Sequence, residues 1–393
     1  MPKTVYLDNA ATSKLKPEVL DAMMPYLTEK YGNPSSVHSF GAECNNACEE
    51  ARKKVAKVIN AKTDEIYFTS GGSESDNWAI KSVAQMKKGK GKHIITSAIE
   101  HHAVMETCEY LAREGFEITF VGVDKKGIVK MDELKAAIRP DTILISIIYA
   151  NNEIGTIQPI REIGALARSK GILFHTDAVQ AYGHVPIDVE KDNIDLLSAS
   201  AHKIHGPKGI GMLYIKNNVK LIPMIHGGPH ERKKRAGTLN VPGIVGFGKA
   251  AELTIESMKG NAELTKLRNY AIDRILKEIP ASILNGDREK RLPGNINISF
   301  RYIEGESMLM MVDMKGIAAS TGSACASGSL DPSHVLLAIG LPHEVAHGSI
   351  RLSMSDFTTK EELDYTIDSL KEVVARLRSM SPLYEDAVKK GEV

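Results

Sequence analysis

Four short segments carry residues suited to chemistry on an amine or a thiol. In SASAHKIHGPKGIG, the apolar run IDLLSAS leads into Ser200, His202 and Lys203 and then into a Gly/Pro-rich turn. That order sets Lys203 at a strand tip, where partial burial disfavours the ammonium and favours the free amine that a Schiff base with an aldehyde needs. Taken alone, Lys203 would also suit a solvated loop, the fate expected for Lys208. In ILFHTDAVQ, Asp177 ends another apolar run. A carboxylate there can pair with a protonated pyridine nitrogen and make the ring an electron sink, or it can simply cap the next helix. In TSGGSESDN, a strand opens through glycines into a helix whose N–H groups at Gly72 and Ser73 face an anion. Neither GxxxxGK[ST] nor GxGxxG occurs there, so a single phosphate monoester fits better than ATP or a dinucleotide, and a plain Gly-Gly turn is the alternative. In TGSACASGSLDP, Cys325 is set among Gly322, Ser323, Ser327 and Gly328. So small and flexible a run predicts an exposed, mobile thiol that can reach a substrate and carry its product away, against the plainer use of a small residue in a tight turn.

The elements that position these residues follow from the apolar pattern. Between residues 65 and 215 the runs EIYFTS, KHIITS, EITFVGV, TILISIIYA, ILFHTDA, DLLSAS and IGMLYI alternate with helical stretches. That alternation predicts a mostly parallel α/β sheet, and near-continuous apolar strands imply helices on both faces. Ligands then belong at the carboxyl ends of the strands. A long helix is predicted over residues 242–259, followed by a helix, the strand NINISF, a helix, the Gly/Ser-rich loop, a strand at residues 349–353 and a final helix. We read a large domain over residues 15–260 and a smaller α+β domain from residues 1–14 and 261–393, with the site between them.

The bulk numbers narrow the partners. A chain of 393 residues with 50 basic and 49 acidic side chains has no dense basic block beyond residues 232–235, which a phosphate-bearing small molecule would satisfy. Nucleic acid and membrane surfaces are therefore not expected. No apolar run approaches the roughly 18 residues of a membrane span, and the first residues lack a signal-peptide core, so a cytoplasmic location is expected. Only four cysteines occur, which argues against a disulfide framework. Cys44 and Cys48 share a predicted helix face as core residues. His38, His226 and His230 show no ligand spacing, and HEVAH (343–347) matches HExxH but sits at a short turn before a strand, so no intrinsic metal is expected.

Taken together, YLDNAAT, GNPSSVHSFG, TSGGSESDN, IEHHAV, NNEIGTIQPI, HTDAVQ, SAHKIHGPKG, RAGTLN and STGSACASGSLDPSHVL, in that order, closely resemble the cysteine desulfurases of the NifS/IscS group, over residues 5–383. These are class V aminotransferase-like, fold-type I enzymes that use pyridoxal 5′-phosphate. The resemblance implies that Lys203 forms the Schiff base, Asp177 pairs with the pyridine nitrogen, His101 stacks on the ring and Gln180 bonds its oxygen. It places the phosphate among Gly72, Ser73, Ser200 and His202, with Thr238 from a second subunit of a homodimer. Asn152 and Arg351 would hold the substrate, the arginine clasping its carboxylate as a fork. The implied reaction turns L-cysteine into L-alanine and leaves the sulfur as a persulfide on Cys325. The extended run GSLDPSHVL implies delivery to an iron–sulfur scaffold protein, with Cys325 as a transient cluster ligand.

Two departures stand out. Gly72-Ser73 replaces the Ala-Thr common in relatives, and Ser355-Asp356 replaces a Gly-Arg pair, adding a negative charge near Arg351. The rival readings are an aminotransferase or selenocysteine lyase of the same fold and a non-catalytic scaffold-binding paralogue; an aminotransferase has no use for the thiol, and a paralogue none for Lys203.

Overall fold

A computed structural model describes residues 4–321 and 332–391. Among the described residues, twelve strands form three sheets: β1 (Val5–Tyr6), β2 (Ile66–Thr69), β3 (His93–Ser97), β4 (Glu117–Val121), β5 (Thr142–Ser146), β6 (Leu173–Asp177), β7 (Leu196–Ser200), β8 (Gly211–Ile215), β9 (Ser282–Leu284), β10 (Asn295–Phe300), β11 (Ile317–Ala318) and β12 (Ser349–Ser353). The central sheet has the order β2-β8-β7-β6-β5-β3-β4. β7, β6, β5, β3 and β4 pair in parallel, while β8 runs antiparallel to both β2 and β7. Every residue of β2, β3, β5, β7 and β8 is buried, which is why these strands read as continuous apolar runs.

One hydrophobic cluster on the central sheet includes Phe68, Ile145, Phe174, Tyr182 and Phe247. A second, with Trp78, Ile94, Leu144, Leu196 and Leu213, includes residues from other positions of the same strands. Alternating side chains thus feed two layers, as a doubly covered sheet requires. The predicted long helix spans Val241–Ser257. Cys44 and Cys48 lie buried in the helix Ser39–Lys57, and burial pushes the Cys48 thiol up to about 12, the state of an inert core cysteine.

A third cluster joins Val5 and Leu7 to Ile272, Ile298, Phe300, Ile350 and Leu370. β12, β10 and β9 form an antiparallel sheet, and β1 pairs in parallel with β11. From β1 the chain crosses back toward the central sheet: Ser13 Oγ donates to the His202 carbonyl at 2.7 Å and accepts from His205 N–H at 2.8 Å. Residues 8–13 therefore lie between the two cores. Among the described residues no helix is long and apolar enough to cross a membrane.

Candidate active site

Lys203 follows β7 in a single helical turn, Ala201–Lys203. Its Nζ donates to the carbonyls of Ala10 (2.6 Å) and Ala11 (2.7 Å), and its own carbonyl accepts from His184 Nε2 at 3.0 Å. Gln180 Nε2 donates to the same Ala10 carbonyl at 2.8 Å. Lysine and glutamine thus share one acceptor on the N-terminal segment.

Asp177 ends β6 at 4% exposure, and one of its oxygens accepts from Val179 N–H at 2.9 Å. Burial raises its pKa, opposed by the charges of His101 and Lys203. His101 caps the helix His102–Arg113, its Nδ1 accepting from Ala103 N–H at 3.1 Å. With Nδ1 so used, a neutral ring carries its proton on Nε2. Burial lowers the His101 pKa, which favours that neutral form.

Behind them lies Asp76, from the helix Gly72–Lys87. Burial, and then the nearby Asp177 charge, hold its carboxyl well above the usual range, and its Oδ1 has no hydrogen-bond partner among the described residues. One donor atom each from Asp76, His101 and Asp177 lies within 4.8 Å of the others. Such a spacing of two buried acids and an imidazole suits a positively charged ligand. His175 Nε2 lies 3.6 Å from Asp76, yet burial drives His175 down to about 3, and it bonds Ser146 and Ser198 as a neutral ring.

The Gly71-Gly72 turn, where the sequence predicts phosphate binding, packs against Ser200 at the end of β7, Gly211 of β8 and Val179. A Cβ built on Gly71 would stand 4.0 Å from Ser200 Oγ, and one on Gly211 would come within 2.7 Å of the Gly71 Cα, so glycine at 211 lets the turn sit directly on β8. A Cβ on Gly72 would reach Val179 Cγ2 at 2.6 Å, so the glycine at 72 suits the valine that covers it. Ser73 lies in the first turn of the helix. His202 meets Thr12 Oγ1 at 3.2 Å, and burial, then Lys203 and Lys208, bring it down to about 4, leaving a neutral ring for hydrogen bonding. Arg235 of the RAGTLN segment grips Glu74 at 2.8 and 3.0 Å, and Thr238 stands exposed three residues on. The basic run at 232–235 is partly committed within the chain, since Arg232 bonds the carbonyls of Thr63, Asp64 and Ile66.

Arg351 comes from β12 and is 1% exposed. Its Nη1 donates to the Asn152 carbonyl at 3.1 Å and its Nη2 to Asp8 Oδ1 at 2.9 Å. Its Nε is buried with no partner among the described residues. Such a donor costs about 1–3 kcal/mol unless an acceptor arrives. The departure at Ser355-Asp356 is absorbed locally, because Asp356 pairs with Lys16 at 2.8 Å and accepts from Ser257 at 2.7 Å. Cys325 lies outside the described residues.

A family model described as Aminotransferase class-V matches residues 5–366. The chain belongs to the class-V aminotransferase family. It is 59% identical over 382 residues to a cysteine desulfurase IscS from Methanosarcina thermophila, covering 97% of this chain and 94% of that one. A cysteine desulfurase IscS from Dictyoglomus turgidum is 57% identical, covering 98% of each. Among solved structures, a NifS-like protein superposes with a TM-score of 0.90 at 41% identity, covering 95% of this chain and all of the other. A structure described as SspA in complex with cysteine gives 0.81 at 38%, covering 91% and 100%.

Several residues of this class-V aminotransferase site were not singled out from the sequence. Asp8, Ala10 and Ala11 stand in the YLDNAAT motif, but nothing local says that their carbonyls and carboxylate meet Lys203 and Arg351. Asp76 sits inside SESDN, where a polar residue reads as a solvated helix face. Glu100 and Glu153 are also buried, raised by burial to about 8 and about 7. Glu100 Oε1 accepts from Ser97 Oγ and Ile148 N–H, and Glu153 accepts from Ser333. An acidic residue in an otherwise apolar strand-tip segment is the signal that would have found them.

Proposed function

We propose that this chain is a cysteine desulfurase that converts L-cysteine to L-alanine and takes the sulfur on Cys325 as a persulfide. The observation that carries the reading is that Lys203, within electrostatic reach of Asp177 and His101, and Arg351, with its unmatched buried Nε, both bond the segment of residues 8–11. The cysteine desulfurases that the chain resembles along nearly its whole length support it.

Members of this family are pyridoxal-phosphate enzymes, and the residues here fit that cofactor. Asp177 is a buried acid in need of a positive partner, which a pyridine nitrogen supplies once protonated. Lys203 offers the amine for its aldehyde, His101 a flat neutral ring and Gln180 an amide for its oxygen. Gly72, Ser73, Ser200 and His202, with Thr238 from a second copy in a homodimer, would take its phosphate. When bound, the cofactor supplies an electron-withdrawing ring beside the substrate Cα.

The chain's own groups do the rest. With Nη1 and Nη2 already bonded to Asn152 O and Asp8, Arg351 takes the substrate carboxylate through Nε rather than as the two-toothed fork the resemblance implies, and Asn152 flanks it. Lys203 Nζ, steadied by the Ala10 and Ala11 carbonyls, receives the Cα proton. The Cys325 thiolate attacks the substrate sulfur; the new S–S bond forms as the Cβ–S bond breaks, and alanine leaves after protonation. We read the persulfide as the supply for an iron–sulfur scaffold protein, with Cys325 a transient ligand of the nascent cluster, and the setting as the cytoplasm. The division into residues 15–260 and 1–14 plus 261–393 fits this scheme, since Val5 and Leu7 pack with the smaller core.

The test is release of sulfide and alanine from cysteine under reducing conditions by wild type and Cys325→Ala. Loss of both products in the variant is expected. An aminotransferase would be indifferent to the change, and equal rates would end the desulfurase reading.

A further inference from the structure

A buried guanidinium cannot wait unpaired for its ligand, because an isolated internal charge costs several kcal/mol. Arg351 does not wait unpaired. Asp8 Oδ1 stands 2.9 Å from its Nη2, with the Asp8 side chain 21% exposed and the arginine side chain 1%. The two residues are 343 positions apart, so the pair is a tertiary construction. Its backbone is fixed on both sides: β12 carries Arg351, and Ser353 of the same strand binds Leu7 O, Asn9 N and Ala10 N around Asp8. Ser320 exchanges backbone hydrogen bonds with Arg351 from the far side.

We propose that Asp8 is a positioning residue that sets the affinity and charge selectivity of the substrate carboxylate site. The inference deepens the reading of Arg351 as the carboxylate clasp and rests on it. With Asn152 O on Nη1 and Asp8 on Nη2, the guanidinium is oriented and neutralised before any ligand arrives, and Nε is left as the unmatched donor. An incoming carboxylate gains that donor but shares the positive charge with Asp8. The repulsion between the two carboxylates limits how tightly any α-amino acid is held, and it lets alanine depart once the sulfur is gone. It also disfavours substrates bearing a second carboxylate, which would bring a third negative charge to one cation.

This role predicts the opposite sign from a merely structural one. Asp8→Asn keeps an oxygen acceptor of the same size for Nη2 and removes only the charge. In the cofactor-loaded enzyme, the equilibrium dissociation constant of L-alanine, measured by calorimetry at low salt, is expected to fall about tenfold, as loss of a like charge a few ångströms away allows. High salt shrinks the difference. The KM for cysteine falls with it while kcat does not rise, and Asp8→Glu returns the binding toward wild type. A dissociation constant that is unchanged or higher in Asp8→Asn overturns the proposal. Asp8→Ser serves as the second charge-removing variant should Asp8→Asn fold poorly, with the same two outcomes. Arg351→Lys separates the two levels: weaker alanine binding there, with no tightening in Asp8→Asn, sinks the role of Asp8 alone, whereas unaltered binding in Arg351→Lys sinks the carboxylate site itself.

Discussion

The Nζ of Lys203 lies between two backbone carbonyls, 2.6 Å from Ala10 O and 2.7 Å from Ala11 O, so the N-terminal segment and the tip of β7 form one unit. Ser13 is the bolt of that unit, with its hydroxyl bonded to His202 O and His205 N. Ser13→Ala leaves the buried His205 N–H unmatched and should cost about 1–3 kcal/mol in urea unfolding. Slower recovery of the cofactor's visible absorption when the apo-protein is reloaded is expected with it. A variant as stable as wild type that reloads at the same rate would show that Ser13 does not position Lys203.

Arg52 and Glu231 form a buried fork, with Nη1 and Nη2 at 2.8 and 2.7 Å from the two carboxylate oxygens, and Glu231 also accepts from Phe68 N–H at 2.8 Å. The fork holds a strained turn, since Glu231, Arg232 and Lys233 all have positive φ, against β2, which leads into the Gly71-Gly72 turn. Glu231→Ala leaves the buried Arg52 with only the partly exposed Glu49 as its ion-pair partner, and leaves Phe68 N–H unmatched, so it should destabilise by about 3 kcal/mol. Arg52→Met with Glu231→Leu should recover much of that loss. Denaturation midpoints of the three proteins check both.

Glu153 gives a pH dependence with a defined sign. Burial raises its carboxyl from 4.5 to about 7, so the folded chain keeps a proton that the unfolded chain releases. Stability from this group is full below about pH 4.5, declines as pH rises toward 7 and is flat above, a difference of at most about 3 kcal/mol. Glu153→Gln should therefore match wild type near pH 4.5 and exceed it in melting temperature at pH 8. An equal advantage at both pH values would contradict the buried, raised carboxyl.

The strands and the site lysine were legible because the same physics writes both. A sheet covered on two faces must be apolar throughout, and the residue ending each such run, Asp177 in β6 or Ser200 in β7, is placed at the ligand edge by that fact alone. The helix start at Gly72 was legible for a similar local reason. Asp8 with Arg351 was not, because partners 343 residues apart leave no mark in either neighbourhood. Asp76 was hidden in another way. A helical polar residue is usually solvated, and only the packing of that helix against β5, β6 and β7 turns its side chain inward.

The path of the sulfur atom tests the central claim most directly. After incubation of the cofactor-loaded protein with L-cysteine, trapping of thiols and digestion, mass analysis should find the Cys325 peptide heavier by one sulfur atom, with one alanine formed per persulfide in the first turnover. Lys203→Ala should show neither. Sulfur on Cys325 at full yield in Lys203→Ala, or alanine formed by wild type while Cys325 stays an unmodified thiol, would contradict the account.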